Sequence, residues 1–169
     1  MGAPFYPTPP IVVDKMLALA RVNSGSILYD LGCGDGEIVV AAAQNYKAKK
    51  AVGIEQNQRL CAVALRRTRH LSNTAIINAN YDDVDISEAN VVTLYQSANE
   101  NARLKRKLVN ELREGSVVVS HDFGIPGWRP EGYHVFKEGR RGQRVILYVM
   151  GAHKLPWSRR LSGLTTESW

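Results

Sequence analysis

The sequence predicts an α/β fold, a mostly parallel, doubly wound sheet with an antiparallel hairpin at one edge. Three observations carry this. Short apolar runs alternate five times with longer stretches of helical periodicity, the pattern of successive βαβ units. The first run ends in a glycine-rich turn that opens directly into a helix. Asp30, Glu55, Asn80, Tyr95 and Asp122 stand where the five runs end. Ligands of such sheets bind outside the carboxyl ends of the strands, so five polar or aromatic groups there mark one rim as the site.

At 169 residues the chain fits one domain with a proper core. Its apolar (44%) and charged (22%) contents are those of an ordinary globular protein. No apolar run is long enough to span a bilayer. Pro4, Pro7, Pro9 and Pro10 interrupt anything resembling a signal peptide, so the expected location is cytoplasmic, without a membrane partner. Cys33 and Cys61 are not spaced as a disulfide framework or as metal ligands, which suits a reducing compartment and predicts no metal site. With no histidine near it in sequence, Cys33 reads as a small residue lining the turn rather than a nucleophile. The net charge of +6 predicts attraction to acidic partners such as nucleic acid or acidic protein surfaces. Most of the basic residues fall on the solvated faces of predicted helices and turns.

Residues 1–8 are extended and proline-rich. Thr8 can cap the first helix, with Pro9 in its first turn, where a missing N–H costs nothing. Val12, Val13, Met16, Leu17 and Ala20 form its apolar stripe. This helix is expected against the sheet edge, holding Phe5 and Tyr6 near the glycine turn. A strand at 27–29 leads into that turn, and a helix begins at Ile38. A second strand covers 51–55, followed by a helix over 57–70 whose apolar face is Leu60, Cys61, Ala64, Leu65 and Thr68, with its arginines outward. A third strand spans 74–78, and Asn80-Tyr81 precede an acidic loop of Asp82, Asp83 and Asp85. The fourth strand, 89–95, ends in Gln96-Ser97, and the next helix covers 98–114 with Leu104, Leu108 and Leu112 on one stripe. The fifth strand, 117–119, runs into Ser120-His121-Asp122-Phe123. Residues 133–137 and 145–150 pair as a hairpin across 139–142. Residues 155–169 keep no period and read as a flexible tail beyond a 1–154 domain.

The turn Asp30-Leu31-Gly32-Cys33-Gly34-Asp35-Gly36 identifies the kind of ligand. Its spacing, G-x-G-x-G, differs from the dinucleotide fingerprint G-x-G-x-x-G. A pyrophosphate wants backbone N–H groups and positive potential, and Asp30 and Asp35 would repel it. A ligand carrying an ammonium and a sulfonium would be attracted. S-adenosylmethionine has both. Gly32, Cys33, Gly34 and Gly36 would then lay bare backbone against it. Glu55 stands where a carboxylate takes ribose hydroxyls, or caps the following helix, and Gln56 is beside it. Asn80 can read an adenine edge and Tyr81 can stack on the ring, or both lie in a solvated turn.

These segments, with Pro7-Thr8-Pro9, Val52-Gly53-Ile54-Glu55, Asp85-Ile86-Ser87-Glu88-Ala89, Val91-Val92-Thr93, Val118-Val119-Ser120-His121-Asp122-Phe123 and Gly127-Trp128, carry a resemblance. Over roughly residues 5–154 the chain resembles the small archaeal protein-lysine methyltransferases, related to mitochondrial lysine methyltransferases. The resemblance implies a single-domain, Rossmann-like class I fold of seven strands. It implies S-adenosylmethionine bound through the glycine turn, with Glu55 on the ribose and Asn80 near the adenine. The segment 1–22, with Tyr6 and Thr8, would fold over the cofactor. The implied activity is methyl transfer to accessible lysines of proteins with broad selectivity. Three departures stand out: Phe5-Tyr6 where the family usually shows Tyr-Val, Glu37 where it commonly has Arg, and a tail beyond Lys154 without a counterpart.

No Asn-Pro-Pro-Tyr motif is present, which argues against the amide- and base-amino methyltransferases that use it. Thr93, Tyr95 and Phe123 are candidates for the acceptor channel, or else ordinary strand-end packing. No dedicated base is needed if desolvation beside a cation lowers the lysine pKa. The expectation is a monomer acting on protein. A nucleic-acid or small-molecule methyltransferase and a non-catalytic S-adenosylmethionine-binding accessory protein are the alternatives. The basic surface motivates a nucleic-acid partner, but no aromatic-interleaved basic motif supports it.

Overall fold

The computed structural model describes residues 6–154. Seven strands form one sheet in the order β3-β2-β1-β4-β5-β7-β6. They are β1 (Ile27–Leu31), β2 (Lys50–Ile54), β3 (Thr74–Ile77), β4 (Val91–Leu94), β5 (Val117–His121), β6 (Gly132–Glu138) and β7 (Arg141–Val149). Strands β1 to β5 are mutually parallel, β7 runs antiparallel to β5, and β6 pairs antiparallel with β7 at the edge. The chain reverses between β1 and β4, so β1 is followed outward by β2 and β3 on one side and by β4 and β5 on the other. That switch point opens the crevice where a doubly wound sheet binds its ligand.

Across the central strands both faces of the sheet are covered, which is why those strands read as near-continuous apolar runs. On one face Leu28, Val91, Val119 and Val145 pack with helices α1 (Pro10–Leu19) and α2 (Glu37–Gln44). On the other Tyr29, Leu31, Val92 and Val118 pack with Leu104, Leu108 and Leu112 at α4 (Ala98–Glu111). Helix α3 (Gln58–Thr68) lies beside β3 and α2.

Several expectations change. Helix α1 is preceded by Pro9 as N-cap with no side-chain cap, so Thr8 does not cap it; the Pro9 carbonyl accepts from the Val12 and Val13 amides instead. It crosses the face over β5 and β7 rather than the sheet edge, because its stripe is fully buried and needs a covered surface. Helix α3 is shorter than 57–70, since Asn57 caps it by accepting from the Arg59 and Leu60 amides. Leu65 leaves the predicted apolar face and is 49% exposed. The hairpin is longer than predicted and turns tightly, with Glu138 paired to Arg141. Gly139 takes φ +59 there, at the first position of a two-residue loop. Phe5 and the expected tail at 155–169 lie outside the described residues.

Candidate functional site

Past the carboxyl ends of β1, β2 and β4 lies a cavity of about 820 Å³. Among its walls are Tyr6, Thr8, Asp30, Gly32, Cys33 and Glu55, joined by Gln56, Asn80, Tyr81, Tyr95 and Phe123. Parallel pairing explains the convergence. The register that sets Asp30 beside Gly53 and Thr93 brings the ends of three strands to one level.

The turn after β1 is built from positive-φ glycines, Gly32 (+82), Gly34 (+56) and Gly36 (+84), conformations strained for any other residue. Gly32 and Cys33 both donate their amides to the Ile54 carbonyl, and Gly34 donates to Glu55 Oε2 at 2.9 Å. The other oxygen, Glu55 Oε1, accepts from the Asn57 amide at 2.7 Å. A single buried carboxylate therefore ties the glycine turn to the entry of α3. Asn57 and not Glu55 caps α3, and each Glu55 oxygen keeps a further lone pair for a ligand hydroxyl.

Gly34 and Gly36 shape the turn from behind: neither is among the residues lining the cavity. Gly36 is the N-cap of α2, and a Cβ there would lie 3.1 Å from that of Ala64. Cys33 is buried, and burial raises its thiol well above the usual range, which makes it inert packing. Its sulfur seats over Gly53, where an added Cβ would meet Cys33 Sγ at 2.6 Å and Cβ at 2.9 Å. Gly53→Ala is therefore expected to destabilise the fold by about 1–3 kcal/mol, the usual range for overpacking. Denaturant unfolding measures this, and an unchanged midpoint would contradict the contact.

The acids divide into two groups. Asp35 and Glu37 are both bound by Arg67 of α3, Asp35 at 2.7 Å. Arg67 thus corrects the expectation of outward arginines: it turns back onto the glycine loop because two carboxylates await it. Asp30 is fully buried, and none of the interactions that shift it comes from a cation. Burial pushes its carboxyl up to about 7, with Glu55 and Asp35 adding repulsion, while a hydrogen bond from Thr93 works the other way. Its chemistry calls for a cation.

Thr93 is a second correction. Its side chain is completely buried, does not line the cavity, and donates to Asp30 Oδ1 at 2.8 Å. It sets the orientation of Asp30 and is no wall of an acceptor channel. Tyr95 and Phe123 do reach the cavity. Asp122, expected at the rim, instead turns toward the hairpin, where Arg141 binds it at 2.6 Å and the Arg144 amide donates to it at 3.2 Å.

Asn80 accepts the Asp82 amide with its Oδ1 at 3.0 Å, capping the 3-10 turn Tyr81–Asp83, and its amide N–H groups are left for a ligand. The Tyr81 hydroxyl donates to Glu100 at 2.6 Å, while Arg103 lies over its ring. Glu100 and Arg103, from the polar face of α4, also line the cavity and were not foreseen, since nothing in their sequence separates them from solvated helix residues. Gln96 was visible only as a polar strand end; it joins the walls and donates to the Leu31 carbonyl at 2.9 Å, tying β4 to the glycine turn.

The family model described as "ANTKMT methyltransferase domain" matches residues 30–132. A protein-lysine N-methyltransferase of Saccharolobus islandicus is 45% identical over 154 residues, covering 89% of this chain and 96% of the relative. An adenine nucleotide translocase lysine N-methyltransferase of Mus musculus is 32% identical over 70% of this chain, and the match covers 52% of that relative's length. Among solved structures, one titled an RNA methyltransferase from Salinibacter ruber in complex with S-adenosyl-L-homocysteine superposes with a TM-score of 0.82. It is 37% identical, over 90% of this chain and 97% of that one.

Proposed function

The chain belongs to the family of ANTKMT methyltransferase domains, and from that premise we infer that it transfers the methyl group of S-adenosylmethionine to lysine side chains of proteins, with broad rather than single-site selectivity. The observation that carries the cofactor assignment is the buried Asp30 at the cavity wall, with Glu55 nearby and no cation among the interactions that shift it. An adenosyl donor with an ammonium and a sulfonium matches that charge, and a pyrophosphate does not.

When bound, S-adenosylmethionine supplies an electrophilic methyl group on sulfur. The protein's share is placement. Glu55, held by the Gly34 and Asn57 amides, would accept from the ribose hydroxyls with its remaining lone pairs. Asp30, oriented by Thr93, would face the ammonium. The free N–H groups of Asn80 and the Tyr81 ring would hold the adenine, and Gln56, Tyr6 and Thr8 would border it from the remaining sides. Tyr95 and Phe123 would wall the acceptor end, where aromatic faces suit a lysine stem and its head. The lysine must arrive neutral to be nucleophilic. Removing it from water beside a cationic centre favours the neutral amine, so the walls serve in place of a dedicated base.

Protein lysines are the favoured acceptor because no separate recognition domain accompanies the site among the described residues, which suits flexible, accessible side chains. RNA is the second reading, favoured by the name of the Salinibacter ruber structure and by the net charge of +6. Incubation with methyl-labelled S-adenosylmethionine, a protein extract and tRNA distinguishes them. Label is expected on protein, spread over many lysines by mass spectrometry. Label confined to tRNA would replace this reading with the second. Among the described residues no helix is long and apolar enough to cross a membrane. A monomeric state and a cytoplasmic location complete the proposal.

A further inference from the structure

A polar cluster at the junction of β5 with the hairpin lies behind both aromatic walls of the acceptor end. His121 is almost wholly buried and stacks on Tyr95, ring centroids 4.0 Å apart. Its Nε2 is 2.7 Å from Gln143 Oε1, and its Nδ1 has no hydrogen-bond partner among the described residues. Burial holds the imidazole below its usual pKa, so it packs as a neutral ring. Asp122 follows with φ +60, and the Phe123 amide closes back on the His121 carbonyl at 2.7 Å. This is a positive-φ γ-turn, a strained conformation that persists only where its surroundings hold it. It directs His121 under Tyr95 and sends Phe123 to the cavity.

What holds it comes from the start of β7. The Arg141 guanidinium binds Asp122 Oδ2 at 2.6 Å and also interacts with the Tyr95 hydroxyl. One planar, multi-donor group thus binds the strained turn and acts electrostatically on the hydroxyl of one aromatic wall, whose ring rests on His121 of that turn. Arg141 itself is more than half exposed and lies outside the cavity wall.

On the lysine-methyltransferase reading above, we propose that Arg141 is a positioning residue for the methyl acceptor: it braces Tyr95 and the Asp122 turn, and so sets the spacing of the Tyr95 and Phe123 walls. It acts on the acceptor and not on the cofactor, because among the described residues its hydrogen bond and ion pair go to Asp122 and none joins it to Asp30, Glu55 or the glycine turn. Misplacement by an ångström can slow an enzyme about 100-fold, so the effect belongs in turnover.

The test uses the full chain, an unstructured lysine-containing peptide and labelled S-adenosylmethionine. Arg141→Ala is expected to lower kcat for the peptide about 10- to 100-fold and to change the distribution of mono-, di- and trimethylated product. The cofactor Kd, by calorimetry, is expected to stay within threefold. Arg141→Lys keeps the charge but loses the fork, and is expected to recover little of the loss. In a Tyr95→Phe background, Arg141→Ala is expected to cost markedly less than in the wild type, because part of its target is already gone. Unchanged kcat and product distribution would overturn the proposal. So would full rescue by lysine, a loss confined to KM for acidic peptides, or an equal loss in cofactor binding. Failure of the wild type itself to label lysine while binding S-adenosylmethionine would instead remove the underlying activity.

Discussion

Replacing Glu55 by alanine is expected to weaken S-adenosylmethionine binding about 100-fold or more and to lower the stability of the free protein by about 2–4 kcal/mol. Two backbone donors, Gly34 and Asn57, end on this one carboxylate. A hydrogen bond to a charged group contributes about 1.5–3 kcal/mol, and a buried donor left without an acceptor costs about 1–3 kcal/mol. The glycine turn would lose its Gly34 tie to the end of β2, keeping those of Gly32 and Cys33 to Ile54, even before any ligand contact is counted. Glu55→Gln keeps the shape but presents an NH2 group to one of the two amides, so it is expected to fall between alanine and wild type. Calorimetry with S-adenosylmethionine and denaturant unfolding measure the two effects. A Kd for the alanine variant within threefold of wild type would remove Glu55 from the site. Its ribose role separates from its turn-building role with a 2′,3′-dideoxy analogue of S-adenosylhomocysteine. Wild type should reject the analogue, and Glu55→Ala should not discriminate.

The second large effect is a pH dependence of opposite sign in the free and bound protein. Asp30 moves from the ordinary 3.8 to about 7 on folding, chiefly through burial. Between those values the folded chain holds a proton that the unfolded chain has released, so stability of the free protein falls as pH rises from about 4 to 7. A pKa difference of one is worth about 1.4 kcal/mol, so the full swing is of the order of 4 kcal/mol. A cationic ligand instead requires the ionised form. Affinity for S-adenosylmethionine is expected to rise up to about tenfold per pH unit below 7 and then level off. It declines again as the ligand's own amino group loses its proton near pH 8. Asp30→Asn should abolish both slopes while keeping the bond from Thr93. Slopes that persist in Asp30→Asn would assign the titration to another group.

The two predictions concern residues of unequal legibility. Glu55 and Asp30 were visible as carboxylates ending apolar runs, because a buried parallel strand must be apolar and its end is marked by the first polar residue. The same logic located Asn80, Tyr95 and the glycine turn. It failed for Asp122, also at a strand end: a positive φ turns its carboxylate to the hairpin, and periodicity carries no sign of that. It failed too for Thr93, two residues before Tyr95, because the hydroxyl is taken by Asp30, a partner 63 residues away on the neighbouring strand.

The sequence alone determined the order of strands and helices, the glycine turn and the sign of the charge around it, since each follows from local residue type and spacing. It thereby determined the family and the kind of cofactor. Only the tertiary structure decided which acid is free and which is paired. Arg67 reaches Asp35 across 32 residues, Thr93 reaches Asp30 across 63, and Arg141 reaches Asp122 across 19. Such partners meet only after the sheet has brought distant segments together. Burial, which raises the Asp30 carboxyl while Arg67 compensates its neighbours, is a property of that packing and of no single stretch of chain.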